Sequence, residues 1–159
     1  TGLVITPDGS IDGIKFPEQL NPSGRTITST TMSSYEEGTW VPYTLGKDTS
    51  GTGTYEMQEG LYTKVGNLVT CFGYLNQTNH TGAGKMEMAG LPFTQNASTR
   101  HIAVGTLMIS QLGYTRDNIT LIGRATTKKV RFFTYGKGDW SAVDMETSFE
   151  THFQFTYAI

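Results

Sequence analysis

Leu68-Val69-Thr70-Cys71-Phe72-Gly73-Tyr74-Leu75 is the stretch whose reading decides the fold. Successive side chains of an extended chain point to opposite faces. One parity carries Leu68, Thr70, Phe72 and Tyr74, and the other carries Val69, Cys71, Gly73 and Leu75. Neither face holds a charge, so neither sits comfortably in water. Arg100 to Ser110 repeats the pattern, with Ile102, Val104, Thr106 and Met108 alternating with His101, Ala103, Gly105 and Leu107. A monomeric two-layer sandwich has one dry face per sheet. Strands apolar on both sides therefore point to an outer face covered by other subunits, as in a cyclic homo-oligomer; a local three-layer core is the alternative reading.

Around these two stretches the chain keeps a strand rhythm punctuated by Gly and Asn. Further strands are expected over Thr39 to Leu45, Gly53 to Lys64, Lys85 to Ala89, Asn118 to Ala125, Lys129 to Tyr135 and Thr151 to Ala158, and Leu68 to Leu75 belongs to the same series. In the last of them Phe153, Phe155 and Tyr157 share one face, while His152, Gln154 and Thr156 share the other. Composition agrees: 159 residues, 36% hydrophobic and only 16% charged, with 19 Gly and abundant Thr, suit pleated sheets and leave the good helix formers sparse. The expected fold class is all-β, an antiparallel β-sandwich. Residues 1–34 differ, with turn dipeptides Asp8-Gly9 and Asp12-Gly13, three prolines and a Ser/Thr run. They read as an extended leader or stem connection whose Leu3-Val4-Ile5 and Ile11, Ile14, Phe16 need burial against a neighbour. The β-sandwich domain then spans residues 35–159.

Several function classes lose their footing on the same evidence. A formal net charge of −2 exerts no pull on phosphate backbones or anionic lipid, so neither nucleic acid nor membrane is an expected partner. The densest basic run, Lys128-Lys129-Val130-Arg131, reads as the solvated face of a strand. No apolar run is long enough to span a bilayer, and the first residues lack a basic-then-apolar secretion signal. Cys71, the single cysteine, reads as a small buried thiol. His80, His101 and His152 lie far apart, no metal-ligand spacing occurs, and Thr81-Gly82-Ala83-Gly84-Lys85-Met86 lacks the first Gly and the hydroxyl residue of a phosphate loop. Glu36-Glu37 would point to opposite sides of a strand, unlike a glycosidase pair. No catalytic residue, cofactor or metal is expected, and the chain does not read as an enzyme. Asn79-His80-Thr81, Asn96-Ala97-Ser98 and Asn118-Ile119-Thr120 match the glycosylation pattern, as chance allows in a Thr-rich chain.

Three strings are more informative. Ser34-Tyr35-Glu36-Glu37-Gly38-Thr39-Trp40-Val41-Pro42 opens the domain, with Gly38 freeing the backbone, Trp40 as a buried anchor and Pro42 confined to an edge or the end of pairing. Gly60-Leu61-Tyr62-Thr63-Lys64-Val65-Gly66-Asn67 ends in a Gly-Asn turn between two strands. Ala89-Gly90-Leu91-Pro92-Phe93 closes a strand and drops Leu91 or Phe93 into the core.

Together these strings resemble the C-terminal domain shared by many bacteriophage tail fibres and tailspikes, which opens with Tyr-Glu-Glu-Gly-Thr-Trp-x-Pro and carries Gly-x-Tyr-Thr-Lys-x-Gly and Gly-Leu-Pro-Phe. Gly13-Ile14-Lys15-Phe16-Pro17 looks like the Gly-x-x-Phe-Pro that precedes such domains. The match covers Ile14 to Phe93; beyond it only strand rhythm is shared. The resemblance implies a homotrimeric, jelly-roll-like tip on the exposed end of a virion fibre, made in the bacterial cytoplasm and joined to preceding fibre or spike domains. Its partner would be a bacterial surface polysaccharide. Exposed aromatics beside polar groups would then make the contact, and the candidates are Tyr114, Tyr135, Asp139 and Trp140. Trp140 falls in the turn-rich run Gly136 to Ser141, where strand alternation does not hold a large ring; the alternative is a Trp tucked under a loop. A purely structural trimerisation or capping module is the competing function. The two separate on whether aromatics face outward or concentrate at the subunit interface.

Overall fold

A computed structural model of the chain describes residues 14–15, 31–32, 34–99, 102–111, 118–136 and 139–159. Its strands are β1 (Ile14–Lys15), β2 (Thr31–Met32), β3 (Glu36–Trp40), β4 (Tyr43–Gly46), β5 (Gly53–Val65), β6 (Leu68–His80), β7 (Met86–Ala89), β8 (Val104–Ser110), β9 (Ile119–Gly123), β10 (Lys129–Gly136), β11 (Asp139–Ala142) and β12 (Phe149–Ala158). Every pairing is antiparallel. The protein is all-β and sandwich-like, as its alternation requires. Of the leader, β1 and β2 form a two-stranded ladder, and the remaining residues before Ser34 lie outside the described ones.

The main sheet runs β3-β5-β6-β12-β8-β9-β10-β7-β4, with β11 added to β10. It curls into a half-barrel whose two ends are supplied by strands adjacent in the chain. Val41 and Pro42 separate β3 from β4, and a proline has no N–H to offer a ladder, so pairing stops there and the chain crosses to the other layer. The seam is held by side chains: Gln58 Nε2 donates to Pro42 O at 2.8 Å, and the Thr44 N–H donates to Tyr55 OH at 2.9 Å. Thr44 Oγ1 donates to the buried Gln77 side chain. Gln77 Nε2 in turn donates to Glu146 O and Thr147 O, so this buried amide is satisfied on every side.

Gly66 turns β5 into β6 with a φ of 59°, the left-handed conformation that a residue without Cβ adopts at no steric cost. The hairpin it makes is the longest among the described residues, in register from Val65↔Leu68 to Gly53↔His80, with irregularities around Tyr55. Between the curled halves lie Trp40, Val69, Cys71, Leu75, Met86, Met88, Leu91, Leu121, Val130, Phe132, Val143, Phe149, Phe153, Phe155 and Tyr157. Trp40 meets the edges of Phe153 at 5.8 Å and Phe155 at 6.2 Å. It fits because Gly60 and Gly73 face each other across β5 and β6: a Cβ on Gly60 would strike the Trp40 indole, and one on Gly73 would strike Glu59 O and the Phe153 ring. Gly38 serves sterically too, its missing Cβ leaving room for the Tyr62 ring.

Two expectations are corrected. The basic run is solvated only in part: Lys128 is exposed and the Lys129 side chain 40% so, whereas Arg131 is shielded, because Glu87, opposite it on β7, binds its guanidinium and lies 3.4 Å from Lys129 Nζ. Glu87 and Arg131 are both mostly shielded from water. The run from Gly136 to Ser141 is likewise not a free turn, for Asp139–Ala142 form β11, which pairs back on β10.

Candidate functional site

The half-barrel presents two outward surfaces. The first lies on β3, β5, β6, β12 and β8, on the side facing away from the core. Register places Thr39, Leu61, Phe72, Gln154 and Thr106 in one row across five strands, and Glu59, Tyr74, His152 and Met108 in the next. Phe72 is 43% and Met108 65% exposed, and Leu61, Val104, Val41 and Leu68 also face solvent. The two rows, with Val41 and their neighbours, line a broad trough of about 1180 Å³. This is the second apolar face foreseen from Leu68–Leu75 and Arg100–Ser110. His152, Tyr74 and Leu61 were not singled out in advance, because their role depends on cross-strand register.

Polar groups gather at one end of that surface. Glu150 accepts hydrogen bonds from Ser110 Oγ at 2.7 Å and Tyr74 OH at 2.9 Å. These donors, Ser110 first, hold its carboxyl below the usual range, while the phenol of Tyr74 is raised by the same contact. The His152 ring lies 4.5 Å from that of Tyr74. Along the same face Thr70 and Thr156 join their hydroxyls at 3.1 Å.

The second surface is built by β9, β10 and β11 where the sheet turns from β8. Tyr135 and Trp140 face each other in register across the β10–β11 hairpin. Their centroids are 5.2 Å apart at 53°, and they remain 42% and 53% exposed. Inward residues of β10, Phe132 and Thr134, are buried, so alternation forces Tyr135 outward. Beside the rings runs a groove of about 600 Å³ lined by Gly105, Thr106, Leu107, Asn118, Ile119 and Thr120. It exists because β8 and β9 pair only at Val104↔Ile122 and Gly105↔Leu121, after which the two strands part. Thr120 Oγ1 donates to Gly105 O at 2.6 Å and pins one wall, while Asn118 takes a positive φ of 55° at the groove's end.

Of the four candidate residues, the structure brings Tyr135 and Trp140 together on one wall. Trp140 is held by a strand rather than by a turn. Asp139 pairs through its backbone with Gly136, and its side chain lies outside the described residues, as does all of Tyr114. The groove residues Thr106, Leu107, Ile119 and Thr120 were missed as site residues, since in sequence they carried only strand alternation and a glycosylation-like triplet.

Cys71 is fully buried, and burial pushes its thiol up to about 12. Burial raises the neighbouring Tyr157 phenol as well. Its hydroxyl both accepts from the Phe93 N–H and donates to Phe93 O, each at 3.2 Å. The His80 ring sits between the Gly82 N–H, which donates to Nδ1 at 2.8 Å, and Thr44 O, 3.1 Å from Nε2. These contacts tie the loop after β6 to β4. Among the described residues no group of three or more His, Cys, Asp and Glu side chains is placed to hold a metal ion, and no helix is long and apolar enough to cross a membrane. No family model, curated protein or solved structure matches the chain.

Proposed function

We propose that the chain is the C-terminal tip of a bacteriophage tail fibre or tailspike, a homotrimer that attaches the virion to bacterial surface polysaccharide. The observation that carries this reading is the exposed Tyr135–Trp140 pair on the β10–β11 hairpin. A module that only clamps subunits would gather its aromatics at the contact between copies. Here an aromatic pair stands outside the large apolar face, over a groove that meets the trough at Thr106 and Leu107. The motifs around Trp40, Tyr62 and Phe93 support the fibre assignment, and the trough over Leu61, Phe72 and Met108 supports assembly, because contiguous apolar surface on a soluble domain marks an interaction site. Cyclic packing of three copies through that face covers it. The competing reading, a capping module without ligand, draws on the same trough and leaves the hairpin aromatics without a role.

Two measurements test the proposal in sequence. Light scattering on the isolated chain should give three times the monomer mass; a well-folded monomer would sink the assembly half. Wild-type protein should adsorb to bacterial cells bearing the recognised polysaccharide, and Trp140→Ala should adsorb at least about tenfold more weakly with the oligomer intact. Equal adsorption by the variant would return the molecule to the capping reading.

A further inference from the structure

The groove beside Tyr135 and Trp140 carries more detail than its aromatics alone. Its walls are of two kinds. Trp140, Tyr135, Ile119 and Leu107 supply apolar surface, and Asn118, Thr106 and Thr120 supply neutral donors and acceptors around it. No Asp, Glu, Lys or Arg is among the described residues that line it. Its volume of about 600 Å³ falls within the roughly 300–1,000 Å³ of small-ligand clefts. A pyranose ring matches this chemistry, with an apolar face of C–H groups for the ring pair and equatorial hydroxyls for amide and hydroxyl partners. The Thr120 hydroxyl hydrogen is committed to Gly105 O, so toward a ligand that oxygen is an acceptor. A carboxylate sugar would lose hydration against these walls and meet no cation among the described residues that line them, a cost that neutral sugars escape.

We infer that the Tyr135–Trp140 groove is a subsite for an uncharged pyranose, stacked on the two rings and hydrogen-bonded by Asn118, Thr106 and Thr120. This rests on the attachment reading above and narrows its ligand class. A saccharide stacked on Trp140 shields that indole from solvent. The chain has two tryptophans, and Trp40 is only 7% exposed, so quenching of tryptophan emission by acrylamide reports Trp140.

The test titrates the assembled protein with the methyl glycosides of glucose, galactose, rhamnose and N-acetylglucosamine, and with methyl glucuronide. Acrylamide quenching and saturation-transfer NMR are the readouts. At least one neutral glycoside should protect Trp140 and receive saturation. The glucuronide should bind at least tenfold more weakly, and Trp140→Ala and Tyr135→Ala should each weaken binding about tenfold or more. Thr120→Val, which keeps the side chain's shape, lies outside the trough and spares both rings, should weaken neutral binding severalfold and guards against misfolding of the aromatic variants. Silence from all four neutral glycosides, glucuronide binding of equal strength, or unchanged binding by both ring variants would overturn the assignment. Adsorption of the same protein to bacterial cells is measured in parallel. Adsorption without glycoside binding overturns the subsite alone, whereas loss of both removes the attachment reading with it.

Discussion

Gly73 sits in the middle of β6 opposite Gly60, and its missing Cβ is what lets the Phe153 ring and the Glu59 carbonyl approach. Gly73→Ala therefore forces backbone or aromatic movement in a packed core, and should cost about 1–3 kcal/mol. Urea unfolding will register this as a lower midpoint at an unchanged slope. Two residues away, Cys71 points into the same core. Its thiol titrates near 9 when free and near 12 when folded, so the native state binds the proton more tightly. The stability this contributes is complete below pH 9 and is lost as pH rises toward 12. Unfolding midpoints measured from pH 8 to 11 should therefore fall more steeply in the wild type than in Cys71→Ala. Iodoacetamide at pH 8 should label Cys71 only once denaturant is added, since the thiolate is the nucleophile. Sequence alone read this residue well, because an apolar setting on a strand leaves a thiol little alternative to burial. It read Trp140 less well: the flanking glycines and aspartate signal a turn, and the pairing of Tyr135 with Trp140 that makes β11 is a fact of register that no local pattern carries.

The elements divide in the same way. Long alternating runs such as Gly53 to Lys64 and Leu68 to Leu75 were legible, because each side chain's face follows from parity; the continuation of β6 over residues 76–80, polar throughout, was not. The segment Thr39 to Leu45 looked like a single strand and is two, β3 and β4, since Pro42 has no hydrogen to give a ladder. The ladder between β7 and β10 holds an ion pair that composition hid. Glu87 lies across from Arg131 with both side chains shielded, and a buried pair is most costly when one partner is removed. Glu87→Gln should destabilise by about 3 kcal/mol, whereas the double variant Glu87→Gln with Arg131→Met, which removes both charges, should recover a large part of that loss. Chemical denaturation of the two variants against the wild type checks this. A double variant as unstable as the single one would mean that the pair is not what the ladder depends on. The groove partners on β8 and β9 were illegible for a related reason: Thr106 and Thr120 come together only because two strands pair at one end and separate at the other.

For the whole molecule, the two-sided apolar strands translate into one face in the core and one face open. The open face, with Phe72 and Met108 near its centre, gives a direct prediction about assembly. Phe72→Glu should leave the β-sheet circular dichroism and thermal unfolding of the single chain in place while dissociating the proposed trimer, as read by light scattering. Glu150 tunes the same face from its edge. Hydrogen bonds from Ser110 and Tyr74 keep its carboxyl below the ordinary range, so what it contributes is present at neutral pH and fades as pH falls through that lowered value.

The strand order has one more consequence, and it concerns time. β12 follows every other described strand in sequence, yet it lies in the interior of the sheet, paired along its length with β6 on one side and β8 on the other. A ribosome must release Phe149–Ala158 before the two halves have anything to share. Until then β6 and β8 present open hydrogen-bonding edges to every neighbouring chain. Closure of the sheet thus waits on the Phe149–Ala158 segment. A chain lacking residues 149–158 would lose the middle of its sheet, and such products should appear in cells as aggregate rather than as shortened, folded protein.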